Sequence, residues 1–352
     1  MRALRLRKPD ETVQPSMKPL LSVLSVLLVL MLVTIGIHTA LECRRLWKTP
    51  TDPQGLPVLI DIPKGQSFAA TAAQLHRSGL IGSLPCFRVM ARMASLDHRV
   101  KAGEYRLSAS MSPEAILEKL ASGDVALHSL VIPEGYTMHQ IAEVIDRSGI
   151  SEGKAFLAAA TDSAVCARLQ VPARTLEGYL FPDTYLFPKN TSALTIVQTM
   201  VQRFRAKVTP GMIEQAEQLG MSLHEIVILA SMIEKETGVD AERSLVSSVF
   251  HNRLKRGMRL ESDPTAVYGI ADPSRGITRE RLQTSTPYNT YRISGLPQGP
   301  IANPGLAALT AALNPAQTDF LYFVARDEKN HQFSRTWAEH ERAVQAWRSF
   351  RK

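Results

Sequence analysis

An uncharged run near the N-terminus most restricts what this chain can fold into. Pro19 to Leu41 holds no charged residue over 23 positions, and 16 of these are Ala, Val, Ile, Leu or Met. A helix of this length can cross a hydrocarbon core of about 30 Å. Residues 19–41 are therefore predicted to form a transmembrane helix in the lipid bilayer. A cleaved signal peptide is the competing interpretation, but its apolar part is normally only about 7–15 residues long and ends at a small-residue cleavage site, for which His38-Thr39-Ala40 is a poor match.

The distribution of charge argues against a nucleic-acid-binding protein. The chain has 352 residues and a formal net charge of +8, and residues 1–48 account for +5 of it. The remainder carries only about +3, so no basic surface is expected there. Five basic residues precede the apolar run and three follow it. By the positive-inside rule this favours a cytoplasmic tail over residues 1–18, with the bulk of the chain outside the cytoplasm.

A linker and a strand–helix unit are predicted after the apolar run. Residues 42–57 are predicted to be a linker, because Thr49 to Pro57 is rich in Pro, Thr, Gly and Asp. A β-type run, Val58 to Ile62, comes next. An amphipathic helix then begins at Ser67, which suits a helix cap, and ends before Gly79.

The strand–turn–helix pattern recurs 70 residues later in the chain. Ile62-Pro63-x-Gly65 and Arg77-Ser78-Gly79 match Ile132-Pro133-x-Gly135 and Arg147-Ser148-Gly149. We interpret the match as an internal repeat, with chance identity as the alternative, because few positions agree. Such βα units recur in carbohydrate-binding LysM-type modules. Residues 58–130 are therefore predicted to be a small LysM-like α+β subdomain, with a spacer domain as the alternative.

The three cysteines carry little information. Cys43, Cys86 and Cys166 are isolated, and no C-x-x-C spacing indicates a zinc or redox site. A Cys86–Cys166 disulfide is one option outside the cytoplasm, and a buried free cysteine is the other.

Met221 to Gly238 is the segment that best indicates chemistry. Ser222 and Glu225 fit a capping box and Gly238 fits a terminating position, which predicts a helix of about 15 residues. Helical spacing of the apolar residues places Glu234 within their stripe. That stripe consists of Leu223, Ile226, Val227, Ala230 and Ile233.

A carboxyl group in an apolar wall is suited to acid catalysis. Burial and the carbonyl dipoles at the helix C-terminus both disfavour ionised Glu234, so its pKa is expected to rise, as a general acid requires. The alternative is a structural Glu paired with Arg or backbone donors. Glu236 lies about 200° around the helix from Glu234, so the two carboxylates cannot face one cleft. A site with two carboxylates, as glycosidases use, would need its second carboxylate from elsewhere in the chain. Glu177, Asp183 and Asp263 are the candidates.

Other catalytic signatures are missing from the sequence. His224-Glu225 opens like a zincin helix, but position 228, where the second His would be needed, is Ile. There is no G-x-S-x-G elbow, P-loop or dinucleotide fingerprint. His331, Glu339 and His340 resemble hydrogen-bonding residues more than metal ligands. No metal or cofactor is therefore predicted.

Several short segments form an ordered series. They are EGYLFPDTY from Glu177, ASMIEKET from Ala230, VFHNRL from Val249, SDPT from Ser262, PYNTY from Pro287, GLP from Gly295, PIANPG from Pro300 and HxFSxTxxEH from His331. In this order they resemble the successive signatures of the MltG (YceG-like) family of endolytic murein transglycosylases. With the anchor and the LysM-like region, the resemblance spans nearly the whole chain.

The resemblance implies an α+β protein with a single transmembrane helix, the LysM-like subdomain and a mixed α+β catalytic region over residues 131–352. It implies a single-pass inner-membrane location, with the catalytic region periplasmic. The substrate would be peptidoglycan glycan strands, cleaved at the β-1,4 bond between N-acetylmuramic acid and N-acetylglucosamine to leave 1,6-anhydro-muramyl ends. The implied role is cell wall assembly and control of strand length, with peptidoglycan synthases as partners.

Glu234 corresponds to the family's catalytic Glu and would act first as general acid and then as general base. Glu261 departs from the family pattern, where Gln is expected. A set of polar residues is predicted to bind substrate, with loop stabilisation as the alternative. It comprises Glu177, Tyr179, Asp183, Asp263, Thr265, Tyr288, Asn289, Tyr291, Asn303 and Ser334. The competing function is a membrane-anchored, non-catalytic peptidoglycan-binding scaffold, which would have no use for a carboxyl group set into an apolar helix face.

Overall fold

A computed structural model of the protein describes residues 18–270 and 277–350. The chain divides into two compact units between Ala126 and Leu127. The architecture is mixed α+β, as predicted. The first unit contains α1 Lys18–Lys48, β1 Pro57–Ile62, α2 Phe68–Arg77, α3 Leu84–Met93, β2 Gly103–Ser108 and α4 Pro113–Ser122.

The apolar run lies in α1, which is longer than expected. Its part from Ser22 to Lys48 has a mean hydropathy of 2.4 over its most apolar window and is long enough to cross a membrane. The helix continues to Lys48, so the first residues of the predicted linker are helical. Trp47 is 4% exposed and packs against Phe87 of α3, with ring centroids 5.7 Å apart. The end of α1 is therefore part of the core of the first unit.

A disulfide joins the same two helices. Cys43 of α1 is bonded to Cys86 of α3, and Cys166 is a buried free cysteine. The Cys86–Cys166 pairing considered from the sequence is therefore wrong, because Cys86 already has a nearer partner. The spacing of isolated cysteines cannot reveal such a pairing, since it depends on how α1 packs.

The first unit is a strand–helix–helix–strand arrangement followed by α4. β1 and β2 pair antiparallel, in a register that sets Pro57 opposite Ser108 and Ile62 opposite Gly103. Its buried side chains include Tyr105, which is fully buried. The likeness of this unit to a LysM module stays a prediction.

The second unit carries two short two-stranded antiparallel sheets among its helices. β3 pairs with β4, and β5 pairs with β6. Its elements are β3 Leu127–Val131, α5 Met138–Ser148, α6 Gly153–Thr161, α7 Ser163–Arg168, β4 Thr184–Pro188, α8 Ala193–Lys207, α9 Pro210–Gln218, α10 Leu223–Glu236, α11 Asp240–Lys255, α12 Asp263–Val267, α13 Arg279–Gln283, α14 Leu306–Leu313, β5 Tyr322–Ala325, β6 His331–Ser334 and α15 Trp337–Phe350.

The internal repeat is confirmed as a repeat of structure. β1 leads through a turn into α2, and β3 leads through the equivalent turn into α5. Gly65 and Gly135 have φ angles of 83° and 73°, a conformation that favours glycine in both turns. Ser67 caps α2 and Thr137 caps α5, each accepting a hydrogen bond from the backbone three residues on. Each copy also pairs its first strand with a later antiparallel one.

The predicted central helix is α10, with one difference in burial and one in its end. The capping box of Ser222 and Glu225 is confirmed. Every residue from Ile226 to Ile233 is buried, so the helix is enclosed on all sides by α9, α11, α12 and α14 and does not have a single apolar stripe. It ends at Glu236 because Thr237 is extended, with φ −142° and ψ 135°, before Gly238 is reached.

Candidate active site

Glu234 lies in the last turn of α10, beside the start of α14. Only 6% of its side chain is exposed. Its Oε2 accepts a hydrogen bond of 2.9 Å from the backbone N–H of Gly305, the residue that caps α14. Its Oε1 lies 3.6 Å from Nη2 of Arg243 on α11. Three elements far apart in the chain thus meet at one carboxyl group.

Burial raises the pKa of Glu234, as the sequence predicted. The neighbouring Glu134 carboxylate raises it further, while the Gly305 N–H and Arg243 oppose the shift. The two helix dipoles act on this pKa in opposite directions. The C-terminal end of α10 disfavours ionised Glu234, as predicted, whereas the N-terminal end of α14 favours it. Protonated Glu234 is thus favoured by burial, and the ionised form has two donors beside it, the Gly305 N–H and Arg243.

A second carboxylate that the sequence did not single out lies next to Glu234. Glu134 belongs to the turn between β3 and α5, and its carboxylate lies against Cα of Gly305. A Cβ atom at Gly305 would be 1.9 Å from Glu134 Oε1. With the hydrogen bond from Gly305, this places an oxygen of Glu134 within about 7 Å of an oxygen of Glu234. No local sequence signal marks Glu134, because position 134 is a variable position of the internal repeat and is Lys64 in the first copy.

The turn that carries Glu134 is held against α10. The backbone N–H of Gly135 donates to the carbonyl of Asn303 over 2.9 Å, and Lys235 Nζ donates to the carbonyl of Gly135 over 3.4 Å. A Cβ at Gly135 would lie 3.4 Å from Cγ of Glu234. The turn therefore lies in van der Waals range of Glu234, and the positive φ of Gly135, 73°, is the feature that favours glycine there.

Asn303 is a buried connector of three segments. Its Nδ2 donates to the carbonyl of Tyr136 over 2.9 Å and to Oε1 of Glu177 over 2.6 Å. Its Oδ1 accepts from the N–H groups of Gly178 and Leu180 over 2.8 and 2.9 Å. With all its hydrogen-bonding positions used inside the protein, Asn303 fits a framework role better than direct contact with substrate.

Glu177 belongs to the same framework. It accepts hydrogen bonds from the N–H of Met138, the hydroxyl of Tyr268 and the amide of Asn303. Burial raises its pKa to about 7, against these three donors. Its residue is 1% exposed, so it does not provide a second carboxylate at the surface of the site. Tyr288 packs on Tyr268, with centroids 4.7 Å apart, and is partly exposed.

A second polar framework continues from the other side of α10. Glu236 accepts a 2.5 Å hydrogen bond from Ser262, so it points away from Glu234, as its helical position predicted. Thr265 is bonded to the hydroxyl of Thr290 over 2.8 Å, and both are buried.

The predicted residues Asp263, Asn289 and Tyr291 extend this framework. The Tyr291 hydroxyl donates to Asp263 Oδ1 over 2.6 Å. Asn289 is fully buried, and its side-chain amide donates to the backbone carbonyls of Arg281, Leu282 and Thr284 at the end of α13. Of these three, Asp263 and Tyr291 keep partly exposed surface, so their contact with substrate stays a prediction.

Three predicted residues lie in other clusters. Asp183 is paired with Arg203 over 2.5 Å. Tyr179 is bonded through its hydroxyl to His224 Nδ1 over 2.7 Å and is 3% exposed. Ser334 is buried on β6 and pairs with β5. The structure does not bring these three to the Glu234 carboxyl group.

The histidine cluster considered as a metal site has other partners. His331 donates through its backbone to Glu242 over 2.8 Å, and its Nδ1 lies 2.7 Å from the same carboxylate. Glu339 caps the start of α15 by accepting from the N–H groups of Arg335 and Thr336. Across residues 18–270 and 277–350, no three His, Cys, Asp or Glu side chains converge as metal ligands would.

The fold and this site define a class of protein: an α+β protein in which a nearly buried carboxyl group at the end of a buried helix lies beside a second, exposed carboxyl group. Residues 60–346 match the YceG-like family, and the chain belongs to that family.

Named relatives support the assignment. A protein of Bacillus subtilis (strain 168) called endolytic murein transglycosylase is 33% identical over 306 residues, which cover 82% of this chain and 84% of the relative. One of the same name from Streptococcus pneumoniae serotype 2 is 29% identical, over 82% of this chain and 58% of the relative. The crystal structure of the YceG-like protein lmo1499 from Listeria monocytogenes aligns with a TM-score of 0.57 and 32% identity, covering 82% of this chain and 99% of that one.

Proposed function

We propose that this protein is an endolytic peptidoglycan lytic transglycosylase with Glu234 as its general acid and base. The observation that carries the proposal is the setting of Glu234: a carboxyl group with a raised pKa, 6% exposed, and supplied with an N–H donor at 2.9 Å. The names of the relatives supply the substrate and the class of reaction.

The reaction needs two proton transfers, one from Glu234 and one to it. Protonated Glu234 donates to the oxygen of N-acetylglucosamine that leaves the muramyl anomeric carbon, and the ionised carboxylate is then stabilised by Gly305 and Arg243. It next accepts the proton of the muramyl C6 hydroxyl as that oxygen closes on the anomeric carbon. The product is a 1,6-anhydro-muramyl end, and one carboxyl group completes the cycle.

The placement of the enzyme in the cell is part of the proposal. α1 would cross the inner membrane once, with residues 1–18 in the cytoplasm. The part of the first unit after the membrane span and the whole second unit would lie in the periplasm, where peptidoglycan lies. The strand–helix–helix–strand arrangement of the first unit is compatible with the proposed LysM-like glycan binding. Peptidoglycan synthases are the proposed protein partners.

Replacement of Glu234 tests the role of this residue. Glu234→Gln is nearly isosteric but cannot donate and retrieve a proton, so muropeptide release from purified sacculi should cease while the circular dichroism spectrum stays unchanged. Glu143→Gln is the matched control, because Glu143 is an exposed carboxylate of α5. A folded Glu234→Gln protein with substantial activity would refute the assignment.

The product separates this reaction from hydrolysis. Closure by the C6 hydroxyl adds no water, so mass spectrometry should find muramyl ends lighter by one water than hydrolytic ends. Digestion in heavy-oxygen water should leave them unlabelled, since a well-oriented internal hydroxyl reaches effective molarities of about 10⁵ M or more. Labelled, borohydride-reducible ends would show that water attacks. Binding to sacculi without any released product would instead support the non-catalytic scaffold.

A further inference from the structure

We propose that Glu134 supplies a second functional carboxylate to this active site and faces the positive charge that develops on the muramyl ring while Glu234 transfers the protons. The inference rests on the proposed function, because it names a group that acts in the same reaction. It extends that function by giving the transition state a specific electrostatic partner.

The geometry around Gly305 is the first support. Glu234 accepts from the N–H of Gly305, and Glu134 lies against its Cα, so both carboxylates share one residue. Gly305 is buried and φ is −76°, a value that any residue can adopt. The space that a side chain would take is occupied by Glu134 Oε1, which a Cβ atom at this position would displace. The absence of a side chain at Gly305 therefore leaves room for the second carboxylate.

The internal repeat is the second, independent support. The turn between β1 and α2 has the same shape as the turn between β3 and α5, yet carries Lys64 where the second copy carries Glu134. The turn itself therefore does not need a carboxylate. Among the residues that the structure describes, no donor or cation is bound to the Glu134 carboxylate, and the residue is exposed. It is available to a substrate.

The two carboxyl groups are close enough to act on one substrate. Their contacts with Gly305 limit the distance between an oxygen of Glu134 and an oxygen of Glu234 to at most about 7 Å. This limit lies below the separation of about 9.5 Å that is the upper end for carboxyl pairs flanking a scissile glycosidic bond. The two groups also differ as such a pair requires, because Glu234 is nearly buried while Glu134 is open to solvent.

The step balances without a bond to Glu134. The bond between the anomeric carbon and the leaving oxygen breaks, its electron pair stays with that oxygen, and the proton of Glu234 follows. Positive charge then lies on the anomeric carbon and the ring oxygen. The C6 oxygen supplies an electron pair to the anomeric carbon, and the proton of the C6 hydroxyl passes to Glu234. Glu134 exchanges neither proton nor electrons and lowers the energy of the charged state.

Glu134→Gln in the full-length protein is the test. Loss of one preorganised electrostatic partner should lower kcat by about 10², with a much smaller change in KM and with anhydro ends still formed. The alkaline limb of the pH–rate profile should move to lower pH, because the Glu134 charge helps to keep Glu234 protonated against Arg243 and the Gly305 N–H. Glu143→Gln, which removes an exposed carboxylate of α5, should leave both measurements unchanged.

Gly305→Ala provides a second test that keeps Glu134 in the sequence. The new Cβ should push the Glu134 carboxylate aside while the backbone N–H still bonds Glu234. We expect a fall in kcat similar to that of Glu134→Gln, and no further fall when the two changes are combined, because both remove the same interaction.

The outcomes distinguish the two proposals. Wild-type kcat and pH profile in Glu134→Gln, together with an inactive Glu234→Gln, would overturn the role of Glu134 and leave the proposed function intact. Heavy-oxygen-labelled ends in the wild type that disappear in Glu134→Gln would make Glu134 a hydrolytic base and overturn both. A wild-type protein that releases no muropeptides would overturn the proposed function.

Discussion

Glu177 makes the stability of the second unit depend on pH in a direction opposite to that of a salt-bridged carboxylate. Its pKa is raised to about 7 in the folded protein, against 4.5 for an unperturbed Glu. Between these values the folded chain keeps a proton that the unfolded chain has released, so the free energy of unfolding falls as pH rises. One pKa unit corresponds to about 1.4 kcal/mol. Glu177 should therefore lower the free energy of unfolding by about 3 kcal/mol as the pH rises from 4.5 to 7.

Glu177→Gln should remove this dependence. The Gln oxygen can accept from Met138 and Asn303, and its amide can donate to the Tyr268 oxygen, so the framework is kept. We expect the variant to match the wild type within about 1 kcal/mol at pH 4.5 and to exceed it by up to about 3 kcal/mol at pH 8. The assay is urea unfolding of the full chain in detergent, followed by circular dichroism. The raised pKa of Glu236, also about 7, leaves part of the pH dependence in place.

The slope of the free energy of unfolding against pH shows whether Glu177 holds a proton in the folded protein. Glu143→Gln, an exposed change, should give a curve parallel to that of the wild type. If the curve of Glu177→Gln is also parallel to that of the wild type from pH 4.5 to 8, folded Glu177 does not hold a proton and the prediction is wrong.

Three further predictions concern packing and covalent structure. Asn303→Ala should lower the free energy of unfolding by about 4 kcal/mol in the same urea assay, because four hydrogen bonds are lost, three of them buried. Gly178→Ala should cost about 3 kcal/mol, since φ is 87° and the new Cβ would lie 2.5 Å from Pro300, whereas Gly220→Ala, with positive φ and open space, should cost only about 1 kcal/mol. Reducing the Cys43–Cys86 disulfide should destabilise the first unit by about 4 kcal/mol, measured from Trp47 fluorescence during denaturation, and a Cys43→Ser, Cys86→Ser variant should no longer respond to reductant.

Local signals predicted much of the fold. The capping box of Ser222 and Glu225 located the start of α10 correctly, and the two Pro-x-Gly turns revealed a repeat that the backbone confirms. These features depend on neighbours a few residues apart in sequence. The burial of α10 on every side could not be read from its own periodicity, because α9, α11, α12 and α14 supply the covering surfaces.

The site was predicted less completely. Glu234 stood out because a carboxyl group interrupts an apolar pattern. Glu134 did not, because an exposed Glu in a turn is ordinary until the chain brings Gly305 beside it. Asn289 and Asn303 looked like sugar-binding residues, but burial assigns their amides to the protein's own backbone and side chains. Amide side chains serve both purposes, and sequence alone does not show which groups surround them.

The way in which α1 ends determines how the first unit moves in a membrane. Trp47 is enclosed by that unit and Cys43 is covalently bound to Cys86, so no flexible segment separates the apolar helix from the folded domain. In the bilayer proposed here, the helix and the first unit should therefore share one rotational correlation time. Viscosity of the lipid, and not of the periplasm alone, would then govern how fast this unit can turn to meet a glycan strand.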